Sequence, residues 1–248
     1  GSLRGALYLD APQLKGTAVV TAKPQTAAIR STDLDALSRS DLGVDARFSA
    51  GQGRAMLALL NLDRVIAIGD GPAQFEGSVN GAWRAPLRLR ARMWGAGLDA
   101  DAEGSAEPWD EAKKASINLR VRSADISPLL DLKPSDTPVE GVRLSSRVSL
   151  AGNKLSFDDL DSIIGGSRLR GRVALTMGDE NNIEGEIGLD QVTLAPVFAF
   201  AIGAGGHDPA EPLGGGVIKG WRGNIVFQAL RGGLPGGIEL QPVSGTIK

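Results

Sequence analysis

The chain has 248 residues, a length that suits one large β domain or two smaller ones. Its 42% hydrophobic and 23% charged residues are typical of a folded protein and exclude a disordered one. The net charge of −2 argues against nucleic acid as a partner, and the absence of cysteine excludes disulfides and thiolate metal sites.

The first part of the chain reads as a series of short strands. Strand patterns lie within residues 3–22 and at residues 44–49, and residues 29–37 read as a strand end that passes into a short helix. The apolar segment Arg54–Asn61 fits either a strand or a helix, and we favour a strand.

Phe75–Trp83 and Pro86–Trp94 read as the two arms of a hairpin, and the second arm alternates apolar residues with the basic row Arg88–Arg92. That row fits contact with anionic headgroups as well as it fits a solvated face. The acidic segment Asp99–Glu111 is predicted to be a loop, and it marks the first candidate domain boundary.

The strand pattern continues in the second part of the chain. Ala115–Ser123 reads as a strand, and Ser127-Pro128 is a good helix start because proline at the first helical position loses no useful hydrogen-bond donor. A linker is expected at residues 134–138. Residues 142–150 again alternate apolar and polar side chains, which predicts another strand.

Leu155–Leu194 carries two amphipathic strands around a polar turn. The first strand places the row Arg168–Arg172 on its wet face, and the second places Glu184 and Glu186 there. Opposite charges on neighbouring strands attract by tenths of a kcal/mol per pair. We therefore expect this basic row to pair with Glu184 and Glu186.

A weak internal repeat joins residues 29–37, 121–129 and 189–197, each a strand end that turns into a short helix. Repetition of this kind favours a stacked or extended repeat sheet. Residues 195–200 are predicted as a short helix and residues 203–216 as a Gly- and Pro-rich loop.

Side chains that could carry chemistry form no predicted catalytic or metal site. Asp99–Asp110 departs from the EF-hand calcium pattern at its fifth and twelfth positions. Asp158, Asp159 and Asp161 read as a solvated strand end, with Asp159 and Asp161 on one face. The single histidine, His207, lies in the Gly-rich loop, where a nucleophile would be poorly held. We predict a non-enzymatic protein with no cofactor and no metal.

Many apolar strand faces and few helices predict a mainly β protein, an extended and strongly curved antiparallel sheet with a few short helices. The apolar faces either pack together in a two-layer sandwich or line an open β-groove. A groove needs an apolar ligand, because a large apolar patch is costly in water. The pattern alone favours the sandwich.

Most of the chain, most clearly from about Ala115 onward, resembles the carboxy-terminal region of the AsmA family of bacterial envelope proteins, and one stretch carries the resemblance best. It comprises Leu155–Leu175, with Gly165-Gly166-Ser167 at its centre, followed by the Gly-containing strand Ile183–Asp190. The resemblance divides the chain into a first β-repeat region at residues 1–110 and an AsmA-like region at residues 111–248, or makes both one continuous sheet.

This resemblance implies a repeating β-groove, related to bridge-like lipid-transfer proteins, in the periplasm. It implies phospholipid as a partner, envelope proteins as further candidates, and a role in phospholipid transport and outer-membrane assembly. Because Gly1-Ser2 is typical of a cleaved tag, we expect a fragment whose inner-membrane anchor lies outside it. The resemblance transfers only an apolar strand face, with these candidate lipid contacts: Leu87, Leu89, Met93, Val142, Leu144, Val148, Leu150, Leu169, Val173, Leu175, Ile187 and Leu189.

Two other functional classes stay open at this point. One is a structural or interaction module that scaffolds envelope assembly without binding lipid. The other is an enzyme, such as a glycan-active β-helix protein, against which the 4% aromatic content and the lack of a clustered acidic cleft both argue.

Overall fold

The computed structural model describes residues 2–24, 40–63, 65–82, 84–130, 141–164, 166–193, 221–234 and 238–247. The segments predicted at residues 29–37, 134–138, 195–200 and 203–216, with His207, lie outside the described residues.

Strands make up most of the described chain, and each is bounded as follows: β1 Leu3–Ala11, β2 Leu14–Lys23, β3 Asp41–Ala50, β4 Ala73–Ala82, β5 Leu87–Gly95, β6 Leu98–Glu107, β7 Lys114–Ser123, β8 Arg143–Ala151, β9 Lys154–Ile164, β10 Ser167–Thr176, β11 Asn181–Thr193, β12 Trp221–Leu234, β13 Ile238–Leu240 and β14 Val243–Ile247. Helix α1 spans Gly53–Leu59, and a 3₁₀ helix spans Ser127–Leu130. The predicted helix start at Ser127-Pro128 is confirmed, and the Asp125 carboxylate accepts a hydrogen bond from the Ser127 N–H at 2.8 Å.

All fourteen described strands join one sheet, in which β1 to β13 follow one another in sequence order and β14 pairs with β12. Every pair is antiparallel except β11 with β12, which run parallel. The sheet does not close into a barrel. The predicted mainly β class with a curved antiparallel sheet is confirmed, and the strands form a single sheet rather than the two facing sheets that the pattern favoured.

The prediction of a strand at Arg54–Asn61 is wrong, because these residues lie largely in α1. Ala, Leu and Met dominate this segment, and all three favour a helix. Its buried residues Gly53, Met56 and Leu57 have the spacing of one helix face, which a search for alternating strands overlooks.

The prediction of a loop at Asp99–Glu111 is also wrong, because β6 occupies most of it. Acidic residues alternate there with alanine and glycine, which are poor strand formers and give a weak apolar signal. The strand forms because its acids face arginines on both neighbours, such as Arg90 and Arg122. β6 and β7 pair in the same sheet on either side of residue 110.

Strand β9 contains one residue more than its partners at its centre, so its register shifts against both β8 and β10. Asp159 carries the bulge with a φ of 51°, in the left-handed region that aspartate tolerates. The bulge puts Asp158 and Asp161 on the same face, since they oppose Arg147 and Arg170 respectively. The prediction that Asp159 and Asp161 share a face opposite Asp158 is therefore wrong.

A compact hydrophobic core forms where α1 packs against one end of the strands. Met56 and Leu57 are buried there. They belong to one cluster with Ala73 of β4, Met93 of β5 and Leu98 of β6. α1 therefore covers the ends of β3 to β6 and leaves the rest of the sheet without a second layer among the described residues.

Replacing Leu57 with alanine should lower the free energy of unfolding by about 3 kcal/mol, because the side chain is 2% exposed and its removal leaves a cavity. Urea denaturation followed by circular dichroism measures the change. Leu59→Ala, on the same helix but 51% exposed, is the matched control and should change stability by less than about 0.5 kcal/mol. Equal losses for the two variants would contradict the placement of this core.

Candidate functional site

Strand register brings most of the large apolar side chains of the sheet onto one side, here called the apolar face. Residues that oppose each other across neighbouring strands point to the same side of a sheet. Following these partners from β2 to β14 gives an unbroken central row of apolar residues and glycines: Val20, Val44, Val79, Leu89, Gly104, Ile117, Val148, Phe157, Val173, Gly185, Ile225 and Ile247.

A second long row runs beside the central row on the apolar face. On one side lies the aromatic-containing row: Leu9, Gly16, Phe48, Phe75, Met93, Ala100, Val121, Leu144, Ser162, Leu169, Leu189, Ala229 and Val243. Between the two rows, Ala46, Gly77, Ala91 and Ala102 are all small. The ring of Phe75 lies over Gly77 and so enters the space that these small residues leave.

Most of the candidate lipid contacts do meet on this apolar face, as the alternation predicted. Their side chains are half-buried, as expected on a surface that is covered on one side only. These candidates are Leu87, Leu89, Leu144, Val148, Leu150, Leu169, Val173, Leu175, Ile187 and Leu189. That they contact lipid stays a prediction.

Met93 and Val142 differ from the other candidates because both are buried by protein. Met93 is 6% exposed and belongs to the core beneath α1. Val142 is 4% exposed, precedes β8, and donates its backbone N–H to the carbonyl oxygen of Ala124 at 3.0 Å. Both side chains are packed into the protein and leave no room for a ligand.

Sequence reasoning missed several residues that belong to this face, including Phe48, Phe75 and Phe227. The rings of Phe48 and Phe75 stack with their centroids 6.1 Å apart. A side chain on Gly77 or Gly245 would collide with the ring of Phe75 or Phe227. The pairing of glycine with an aromatic neighbour was readable in the sequence only once the strand register was known.

The opposite side, here called the polar face, carries ion pairs between neighbouring strands. Arg90 and Glu103 are 3.0 Å apart on β5 and β6. Arg92 lies 4.0 Å from Asp99 and also stacks over Trp94 at 5.1 Å. Arg90 and Arg92 thus have protein partners, which supports the solvated, paired interpretation of the row Arg88–Arg92 over headgroup contact.

The second basic row, Arg168–Arg172, is also paired with acids, one of which was predicted and one of which was not. Arg172 and Glu186 oppose each other and lie 3.1 Å apart, which confirms one predicted pair. Arg168 and Arg170 instead contact Asp161 of β9, at 2.5 and 3.8 Å. The hydrogen bond from Arg168 lowers the pKa of Asp161, and the positive charges of both arginines act in the same direction.

No metal site is found among the described residues, since no group of three metal-ligating side chains comes together there. Asp99 and Asp101 contact Arg122, and Asp159 lies 3.3 Å from Arg147. The acids that could suggest calcium binding or acid–base chemistry therefore have cationic partners on neighbouring strands.

Comparison with protein-family models, with curated proteins and with solved structures finds no match. In the part of the chain that the structure describes, no helix is long and apolar enough to cross a membrane.

Because Arg168 holds the pKa of Asp161 below its usual value near 3.9, this carboxylate stabilises the fold above that pH. The contribution should disappear as the pH falls through the lowered pKa of the folded state. The melting temperature of Asp161→Asn should therefore lie below that of the wild type at neutral pH and approach it in acid. Asp179→Asn, in the exposed turn before β11, is the control and should show no such convergence.

Proposed function

We propose that the chain is a non-enzymatic module that binds phospholipid acyl chains along its apolar face. The observation that carries this proposal is the unbroken central row from Val20 to Ile247, over most of which the described residues form no second layer on the sheet.

Hydrophobic energetics support an apolar ligand at this face. Each Å² of apolar surface removed from water contributes about 25 cal/mol, so an uncovered row of this length is costly in water. Val173 and Leu144 are only half-buried by their strand neighbours, and an acyl chain would cover the side that the protein leaves open. A hydrocarbon chain also has no hydrogen-bonding groups that the row would leave unsatisfied.

The dimensions of the face suit several acyl chains. Neighbouring strands lie about 4.8 Å apart, so the central row from β2 to β12 is on the order of 50 Å long. The hydrocarbon core of a whole bilayer is about 30 Å thick, so one acyl chain fills well under half of the row. Chains would then lie across the strands, one after another.

Charge distribution favours a headgroup that stays outside the face. Neither the central row nor the aromatic-containing row includes a charged residue. An ionised headgroup moved onto such a surface would lose its hydration without gaining a partner. The phosphate would therefore remain in water at the margin of the sheet while the acyl chains occupy the central row.

The cellular role follows from the AsmA resemblance. On that basis the chain acts in the periplasm, joined to the inner membrane through an anchor outside it, and takes part in phospholipid transport and outer-membrane assembly. The proposal is supported by a long sheet with one apolar face, which is the architecture that such a groove requires.

A scaffolding role without lipid is the second candidate, and one observation favours it. The outer edge of β1 is long and regular, with Leu7 71% exposed, and an edge of this kind can bind another strand. This alternative needs no ligand on the apolar face.

The lipid proposal is tested by extracting the purified chain with organic solvent and identifying bound lipids by mass spectrometry. We expect phospholipid to copurify with the wild type. Leu144→Asn places a polar group on the apolar face and should reduce the bound phospholipid severalfold, with a stability loss of about 1–2 kcal/mol.

Ser145→Asn introduces the same side chain at the next position of β8, on the polar face, and should leave the bound lipid unchanged. Denaturation curves for both variants separate lost binding from lost folding. A wild-type protein that carries no phospholipid and takes none from vesicles would contradict the proposal and favour the scaffolding role.

A further inference from the structure

The two outer edges of the sheet differ in a way that bears on association. At one end, β12 is flanked by β13 and β14, which have only three and five residues. At the other end, β1 has nine residues, no proline and no bulge against β2. Among the residues that the structure describes, no strand pairs with the outer side of β1. Proteins usually shorten, twist or charge such edges, because an open regular edge pairs with other strands.

The described residues leave the outer side of β1 uncovered, as the exposure of its side chains shows. Leu3 and Leu7 are 69% and 71% exposed, although they continue the apolar face of the sheet. Tyr8, on the polar face, is 76% exposed. Equivalent apolar residues on interior strands, such as Leu89 and Val148, are half-buried because a strand lies on each side. A further strand beside β1 would bring its leucines to the same state.

The sequence of β1 is complementary to itself. When two copies of Leu3–Ala11 run antiparallel about a two-fold axis at Leu7, Arg4 of each copy opposes Asp10 of the other. Leu7 then opposes Leu7, and Gly5 opposes Leu9, so apolar residues meet apolar residues. Opposite charges placed across neighbouring strands are the arrangement that this sheet already uses on its polar face, as between Arg172 and Glu186.

Other registers of the same pair lose this match. A shift by one residue joins the apolar face of one sheet to the polar face of the other, because the side-chain period of a strand is two. A shift by two residues keeps the faces but leaves Arg4 and Asp10 opposite uncharged residues. The charges therefore select one register, centred on Leu7.

We propose that the outer edge of β1 binds the same edge of a second copy of this chain. The contact is isologous, as closed two-fold dimers require. It joins two sheets into one and makes their apolar faces continuous. In one copy Asp10 lies 3.3 Å from Lys15 with both side chains well exposed, so the carboxylate remains accessible to Arg4 of the second copy. The dimer does not depend on what the apolar face binds.

Charge reversal tests the register. Sedimentation velocity over a range of concentrations should show a monomer–dimer equilibrium for the wild type. Arg4→Glu and Asp10→Arg each place like charges opposite one another twice and should each raise the dimer dissociation constant about tenfold or more. A mixture of these two variants restores both opposite-charge pairs, so it should form heterodimers with near wild-type affinity.

Crosslinking tests the two-fold position, because the chain contains no cysteine. In Leu7→Cys the two introduced side chains oppose each other, with Cβ atoms about 5 Å apart, and mild oxidation should give a covalent dimer. Leu3→Cys is the matched control on the same face of the same strand. Its two sulfurs would lie eight residues apart, about 27 Å, and should not crosslink.

Some outcomes would overturn the dimer. One is a wild-type protein that stays monomeric at a concentration of about 300 μM. Another is a dimer whose dissociation constant neither charge reversal raises. Equal crosslinking of the Leu3→Cys and Leu7→Cys variants would also reject this register. Circular dichroism of each variant confirms folding, and because Arg4 and Leu7 are exposed we expect none of them to unfold.

Discussion

The backbone hydrogen-bond ladder is the constraint on which the rest of this structure depends. Side chains alternate between faces with a period of two, so a single uncompensated slip between any two strands would turn every later apolar residue to the wrong side. The bulge in β9 shows that the assignment of side chains to faces is preserved even where a strand has an extra residue. Phe157 and Leu160 are three positions apart yet share the apolar face, because Asp159 adds one residue against both neighbouring strands.

An apolar face this long follows from a sheet that has one layer. A sheet normally buries its apolar side against helices or another sheet. Here α1 covers only the ends of β3 to β6, so the fully buried side chains gather around Met56 and Leu57. Elsewhere, as far as the described residues go, the face is contacted only by other strands of the sheet. The half-buried state of Val148 and Val173 is thus a consequence of the architecture rather than of any single side chain.

Alternation in the sequence was sufficient to predict β5, β7, β8 and β10, since each sets bulky aliphatic residues against arginine or serine. It failed for β6, where alanine supplies too little apolar contrast, and for α1, where the buried residues follow a helical period. The residue that opposes each side chain was mostly not readable, because it depends on register. The bulge in β9 is why Asp161 was not recognised as the partner of Arg168, and the unknown β3–β4 register is why the contribution of Phe48 and Phe75 to the face was missed.

Strand order in such a sheet needs information that the apolar face does not hold. Valine, leucine and glycine recur on nearly every strand, so apolar contacts would tolerate many neighbours. The polar face discriminates, because acidic β6 lies between basic β5 and β7, and acidic β9 lies between basic β8 and β10. Each pair contributes only tenths of a kcal/mol, yet an order that placed acidic β6 beside acidic β9 would set like charges against each other along a whole row. The polar face therefore adds selectivity to an order that already follows the sequence, while the apolar face stays nearly uniform from strand to strand.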